Sequence, residues 1–526
     1  MSLLLFFLVC RRGGIRLSLP PVQFRFRFRL SIILAGCLIL SFFASCIYRT
    51  TIPARPLNDS GKTILVRVDR SAKEEFLRIT DYRIPFTFEE KDSYYAVLPK
   101  ATLKQYGFPK NGISIVGKYP FKYYSGNYQD LTNESIFALG DVRKGYKDNS
   151  LNFHYLYWTT KLFPGQASFE VIGKSARGSD IFAILLTDTR RSDDGKVSLL
   201  FNCAHHSNEV ISVEHCYDVI YGILSSKKDY SDALSKLKIW IVPIVNPDGA
   251  KVFWHDTIAM GRKNGAPGYG PILEKDNPGV DINRNYPFFW GKTKSNQTSS
   301  VPASTFYRGP SPASEPETKA MIALAEKERF AGSISYHAYA NCILVPYSID
   351  DTKNPDPDLT WELGKKIASE IRSYNPEKSF QARKNIYGVD GVDQDYFFFK
   401  YGTLAYLLET SHSNPPYSDV PKIVESMRPA WTLLLEEILE GNKIFFRIRD
   451  EGGHPLSVNV IYENQTFFQN ETRSSRPRDG IFFQSFPSLR KIRIRLEKEG
   501  YETLYWEGPT WKSWKAVDLV LKKTRY

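Results

Sequence analysis

Between residues 151 and 441, short apolar runs alternate with amphipathic stretches. The runs IFAILLTD (181–188), KVSLLFNCA (196–204), LKIWIVPIVN (237–246), GSISYHA (332–338) and LAYLLETS (404–411) are apolar at successive positions rather than alternate ones. A strand apolar on both faces needs helices above and below it, which predicts a central α/β sheet. After Glu209 the apolar positions Val213, Cys216, Tyr217, Ile220 and Leu224 recur at spacings of three and four, the mark of one helix face. EPETKAMIALAEKE (315–328) and DLTWELGKKIASEIRS (358–373) predict two more amphipathic helices.

The flanks read differently. In 62–118, TILVRV, a charged amphipathic stretch, SYYAVLP and ISIVGKYP predict strand, helix, strand and strand, a small α+β module. Residues 119–150, rich in Tyr, Gly and Asn, read as connecting loop. In 442–526, KIFFRIRDEGGHPLSVNVIYENQ, DGIFFQSFP and RKIRIRLEKEGYETLYW are period-two strands broken by Gly and Pro, predicting a β-sandwich. Ile492, Ile494 and Leu496 fall on one face of such a strand, with Lys491, Arg493 and Arg495 on the other.

Composition changes this picture little. Of 526 residues, 42% are hydrophobic and 14% aromatic, which fits folded domains and excludes disorder. The formal charge is +13, but residues 1–46 carry six arginines and no acid, leaving +7 for the rest. That mild excess lacks the concentrated basic stripe that nucleic-acid binding needs. Arg25, Arg27 and Arg29 precede the uncharged run LSIILAGCLILSFFAS (30–45), which ends at Cys46. Basic, apolar and small residues in that order make an export signal. FFASC has the form of a lipobox, giving an acylated Cys46 and a cell-envelope location; a single membrane anchor over 30–48 is the alternative. Only Cys203, Cys216 and Cys342 follow Cys46, too few for a disulfide framework, so the expectation is a fold stabilised by its core alone.

The candidate chemistry sits at the ends of the apolar runs. His206 and Glu209, at i and i+3 after one run, can face a single cation, while His205 points elsewhere. HxxE alone is a weak signal, and His337 at the end of another run supplies a third donor. Further polar groups follow other runs: NPDG (246–249), GRKN (261–264), DINRNYP (281–287), IYGVDGVDQDY (386–396) and LLETS (407–411).

With these motifs the chain resembles the zinc metallocarboxypeptidases of the carboxypeptidase A/B and N/E type. HxxE precedes the second histidine by 127 intervening residues, NPDG, Asp-x-Asn-Arg-Asn and RGPSPASEPET lie between, and Tyr387 and Glu409 follow. The resemblance implies a mixed eight-stranded sheet flanked by helices and one zinc held by His206, Glu209 and His337. Such a ligand set leaves zinc a fourth position for water. It further implies that Asp281 orients His206, that Glu409 is general acid/base, and that Arg262 stabilises the oxyanion. Asn283, Arg284 and Tyr387 would anchor the substrate's terminal carboxylate. Residues 442–526 resemble the transthyretin-like module of the N/E type, and 62–118 faintly resemble a pro-segment.

There are departures from the family pattern. Asn208 stands where the digestive enzymes carry arginine. Gln394 before Asp395 matches the N/E type, yet Ser348 replaces the aspartate that reads basic side chains there. Gln394 and the nearby Asp350, Asp351, Asp390 and Asp393 suggest a polar pocket for Lys, Arg or diaminopimelate. The expected activity is removal of C-terminal residues from envelope peptides, the substrate carrying a free carboxylate. Hydrolysis of peptidoglycan stem peptides (a muropeptide substrate) and a non-catalytic surface binding protein are the alternatives.

Overall fold

The computed structural model describes residues 63–524 apart from several interior stretches, the longest being 81–87, 119–145, 256–260, 270–277, 374–378 and 466–470. Residues 1–62, with Cys46, and also Tyr387 lie outside the described residues. Among the described residues, no helix is long and apolar enough to cross a membrane.

The central sheet has eight strands: β5 (Ala167–Lys174), β6 (Asp180–Leu186), β7 (Val197–Cys203), β8 (Leu237–Val242), β9 (Gly332–His337), β10 (Cys342–Leu344), β11 (Gln381–Arg383) and β12 (Leu404–Glu409). Their order is β11-β10-β12-β9-β7-β8-β6-β5, with β8, β7, β9 and β12 mutually parallel and the remaining pairings mixed. The expected mixed sheet is present. Its apolar runs are apolar on both faces because two cores meet there. Phe182, Ile184, Leu199, Phe201, Ile239 and Ile241 enter one core; Ala183, Leu185, Leu200, Trp240 and Val242, alternating with them, enter the other. Helices Asn149–Leu162, Val210–Leu224, Leu359–Glu370 and Val420–Glu440 cover the first face, and Pro316–Glu328 and Asp393–Tyr401 the second. Gly222 lets the second and fourth of these helices approach: a Cβ there would lie 2.7 Å from Trp431.

One sequence expectation fails. Cys203 at the end of β7 and Cys216 on the following helix form a disulfide, with Cα atoms 6.4 Å apart. The core is therefore supplemented by a covalent tie that encloses the segment carrying His206 and Glu209. The pairing is possible because the helix folds back along the strand it follows. Cys342 is a buried thiol.

The N-terminal module is a four-stranded sheet, β2-β3-β1-β4, of β1 (Thr63–Asp69), β2 (Phe88–Glu90), β3 (Ser93–Pro99) and β4 (Ile113–Lys118), packed on helix Lys73–Ile79. β3 lies against helix Pro247–His255 of the central domain. At the other end, Gly441 leads from the last helix directly into β13 (Asn442–Asp450). Two three-stranded sheets follow. One is β15-β13-β18, with β15 at Ile481–Phe486 and β18 at Val517–Leu521. The other is β14-β16-β17, of Asn459–Tyr462, Lys491–Glu497 and Leu504–Pro509. Ile492, Ile494 and Leu496 are buried between them while Lys491 and Arg493 are exposed, as the period of two requires. Arg476 docks the sandwich on the central domain, donating from its buried guanidinium to Lys196 O and Ser198 Oγ while paired with Asp479.

Candidate active site

Because β7, β9 and β12 run parallel and side by side, their carboxyl ends open on one edge of the sheet. Ligands of open α/β sheets bind at such an edge. His337 closes β9 and is the register partner of Glu409, which closes β12. The loop after β7 brings His206 and Glu209 to the same edge, where Glu209 N bonds back to His206 O.

His206 Nδ1 lies 2.8 Å from Glu209 Oε1, and His337 Nδ1 lies 3.0 Å from Glu209 Oε2 and 3.2 Å from His206 Nδ1. His206 Nε2 is 3.0 Å from Asp281 Oδ1, so that nitrogen carries the proton and Nδ1 presents a lone pair. Two imidazole nitrogens thus converge on one carboxylate, the arrangement in which a cation would be held by all three. The three residues are at most 4% exposed, and their donor atoms lie within 4.8 Å of one another. Two imidazoles and one carboxylate suit zinc. Burial alone would raise the Glu209 pKa, but the adjacent His206 and His337 carry it below the usual carboxylate range. Asp281 is also held low: Arg262 and His206 outweigh its burial, and Arg262 Nη2 donates to its Oδ2 at 2.6 Å.

A cavity of ≈ 370 Å³ opens over this trio. His206, Glu209 and His337 line it, as do Arg262, Asn283, Arg284, Gln394 and Glu409; Asp281 lies behind. Asn283 and Arg284 form a 3-10 turn whose start is capped by Asp281. Gly391, at φ 70°, lets the loop before helix Asp393–Tyr401 touch that turn, since a Cβ there would sit on the Arg284 carbonyl. Arg284 is 6% exposed and donates to Gln297 O at 2.7 Å and Asn283 O at 2.8 Å. Among the described residues no carboxylate pairs with it. Glu409 has its pKa raised to about 7, first by burial and then by the charge of Glu209.

Two features of the cavity escaped the sequence reading. The Phe306 ring lies under both arginines, 5.0 Å from Arg262 Cζ and 5.8 Å from Arg284 Cζ. Tyr339, 38% exposed, forms part of the rim and donates its hydroxyl to Asn208 O at 2.7 Å. Aromatic residues are frequent along this chain, and nothing in the local pattern singles out these two. His205 turns away from the cavity, with Nε2 2.9 Å from the Tyr286 hydroxyl.

Of the expected polar pocket, Gln394 lines the cavity and the described aspartates do not. Asp390 accepts from Lys292 N and Thr293 N, Asp393 faces His205 and Ser335, and Asp395 lies beneath Ser348. None of these aspartates lines the cavity, and Asp350 and Asp351 lie outside the described residues. The floor is neutral, made of Leu344, Val389, Val392, Leu407, Ser348 and Gln394, with Gln394 Nε2 donating to Ser348 Oγ at 2.8 Å. No described residue of the N-terminal module lines the cavity.

The sequence profile of the zinc carboxypeptidase family (peptidase M14) matches residues 154–430, just over half of the chain, and the chain belongs to that family. Metallocarboxypeptidase A of Trichophyton rubrum is 29% identical over 295 residues, covering 54% of this chain and 66% of that protein. The chain thus spans slightly less than two thirds of that relative's length. A protein of Ajellomyces capsulatus named inactive metallocarboxypeptidase ECM14 is 29% identical over 245 residues, 44% of this chain and 39% of that one. The solved carboxypeptidase A of Helicoverpa armigera matches with a TM-score of 0.50 at 19% identity, over 71% of this chain and 97% of that one, a likeness of fold. The family's metal is zinc, and the trio of His206, Glu209 and His337 is compatible with it.

Proposed function

We propose that the protein is a zinc-dependent carboxypeptidase that removes the last residue from peptides ending in a free carboxylate and a neutral side chain. Arg284 carries this reading. It is a buried guanidinium on the wall of the cavity that contains the metal trio, and its hydrogen bonds go to carbonyl oxygens. A buried guanidinium favours a charge-assisted, bidentate partner, which a substrate carboxylate supplies. Asn283 stands beside it, and Tyr387 is assigned to the same anchor from its place in the motif.

Zinc, when bound to the trio, supplies Lewis acidity, acidifying water and polarising a carbonyl. Asp281 holds the His206 ring with Nδ1 turned to Glu209 and His337, where the three would hold the ion. Glu409 takes the proton of the attacking water and returns it to the leaving nitrogen as the C–N bond breaks. Its burial, which favours the protonated form, suits a group that must hold that proton in transit. Arg262, already held by Asp281 and resting on Phe306, faces the charge that develops on the carbonyl oxygen. The side chain of the leaving residue then extends to the neutral floor at Ser348 and Gln394.

The complete set of ligands and Glu409 favours an active enzyme over a binding protein. The test is hydrolysis of a panel of short peptides with and without chelator, alongside metal content. One zinc per chain with chelator-sensitive release of single C-terminal residues is expected; activity unchanged after zinc is removed would refute the assignment. From residues 30–46 we further propose that the mature chain starts at acylated Cys46 and acts on envelope peptides. An unmodified Cys46 in the mass spectrum of the mature chain would contradict this.

A further inference from the structure

The two polar residues of the pocket floor, Ser348 and Gln394, come from two segments of the central domain. One is the stretch that follows β10, where Tyr347 precedes Ser348; the other is helix Asp393–Tyr401, which carries Gln394 and Asp395. The two are joined at the floor by Gln394 Nε2 to Ser348 Oγ at 2.8 Å and by Ser348 N to the Asp395 carboxylate at 3.0 Å. Beneath the floor both segments are gripped by one ion pair that belongs to the C-terminal sandwich. Glu471, its side chain wholly buried, accepts the Tyr347 hydroxyl and pairs with Arg473 Nη2 at 2.8 Å. Arg473, whose side chain is 4% exposed, donates from Nη1 to Phe399 O at 3.2 Å and lies over the Phe398 ring at 5.6 Å. Phe398 and Phe399 lie on the helix that carries Gln394.

The Tyr347–Ser348 stretch also pairs with the chain at Asn385 and Ile386. The Tyr347 carbonyl accepts from Asn385 N at 2.8 Å, and Ser348 O accepts from Ile386 N at 3.1 Å. Tyr347 is 0% exposed and stacked on Phe288 at 4.9 Å, so its position is set from below.

We propose that Glu471 and Arg473 are positioning residues for substrate selection: the C-terminal sandwich sets the spacing of Ser348 and Gln394 and so decides which leaving side chains fit. This rests on the carboxypeptidase reading and adds to it a role for the C-terminal module. Neither residue touches substrate. Each acts through Tyr347 or through the helix. The ion pair is buried and links the two segments, so removing Glu471 deletes the carboxylate that the Tyr347 hydroxyl and Arg473 Nη2 share and loosens the tie between them.

The test uses the full chain, zinc-loaded, as wild type, Glu471→Ala, Glu471→Gln and Tyr347→Phe. Two peptides differ only in ending with Ala, which scarcely enters the pocket, or with Phe, which fills it. Glu471→Ala is expected to lower kcat/KM for the Phe-ending peptide, mainly through KM, by about 10-fold to 100-fold, as a misplaced contact does. Turnover of the Ala-ending peptide should stay within about twofold of wild type. Glu471→Gln keeps an acceptor for the Tyr347 hydroxyl and should recover most of the loss. Tyr347→Phe keeps the ring packing and should reproduce the same split even if Glu471→Ala does not fold. An equal fall for both peptides, or no change for either, would overturn the proposal while leaving the carboxypeptidase reading intact. A zinc-loaded wild type that cleaves neither peptide would overturn both.

Discussion

Replacing Asp395 with asparagine should change how stability depends on pH. Asp395 is 0% exposed, and both its carboxylate oxygens lie 3.0 Å from Ser348 N. Burial is the largest influence on it and raises its pKa from 3.8 to about 7, against the opposing hydrogen bonds from Ser348 and Ile349. That displacement is about 3 units, and at 1.36 kcal/mol per unit it corresponds to about 4 kcal/mol. Because the folded pKa exceeds the unfolded one, the native state keeps a proton that the unfolded chain has already released. The contribution is therefore fully present below about pH 4, is lost as pH rises through about 7, and is flat beyond. Asparagine has the shape of the protonated acid and does not ionise. Urea unfolding of wild type and Asp395→Asn, followed from about pH 4 to about pH 8, reads the difference directly. Stability is expected to move in favour of the variant by about 3–4 kcal/mol across that range. Parallel curves for the two proteins would refute the reasoning, because Asp395 would then titrate alike in both states.

Glu409→Gln should retain zinc but lose about 10² to 10⁴ in kcat, since a general acid/base contributes that much; zinc content and steady-state kinetics check it. Arg284→Gln should raise KM for free-carboxylate peptides and shrink the preference over their amides, read from kcat/KM for matched pairs. Cys203→Ala with Cys216→Ala should cost about 3 kcal/mol of unfolding free energy, the value for a closed loop near 15 residues, and speed zinc release to a chromogenic chelator. An unchanged unfolding midpoint would show that the tie contributes little.

Much of the sheet was legible because β6, β7, β8, β9 and β12 are buried on both faces and so are continuous apolar runs. β5 is largely half-buried, and β10 and β11 have three residues each, too few to show any period. His206, Glu209 and His337 were legible for a related reason: polar groups that end buried strands stand out. The pocket floor was not. Asp390, Asp393 and Asp395 look alike in sequence, and only the backbone N–H groups and side chains that meet them in space turn them away from the cavity. The Cys203–Cys216 pair needed the strand and helix to be placed before the distance between them had meaning. Glu471 and Tyr347 are 124 positions apart and lie in different domains, so no local pattern links them.

Zinc chemistry and carboxylate recognition sharing one cavity has a direct consequence, seen by giving the zinc-loaded protein one peptide as the free acid and as the C-terminal amide and following products by mass spectrometry. Stepwise loss of single residues from the acid is expected, with the amide slower by about 10⁴ or more, because an amide gives the Arg284 guanidinium no charged partner. Equal cleavage of acid and amide, or cleavage inside the peptide without loss of the terminal residue, would contradict it.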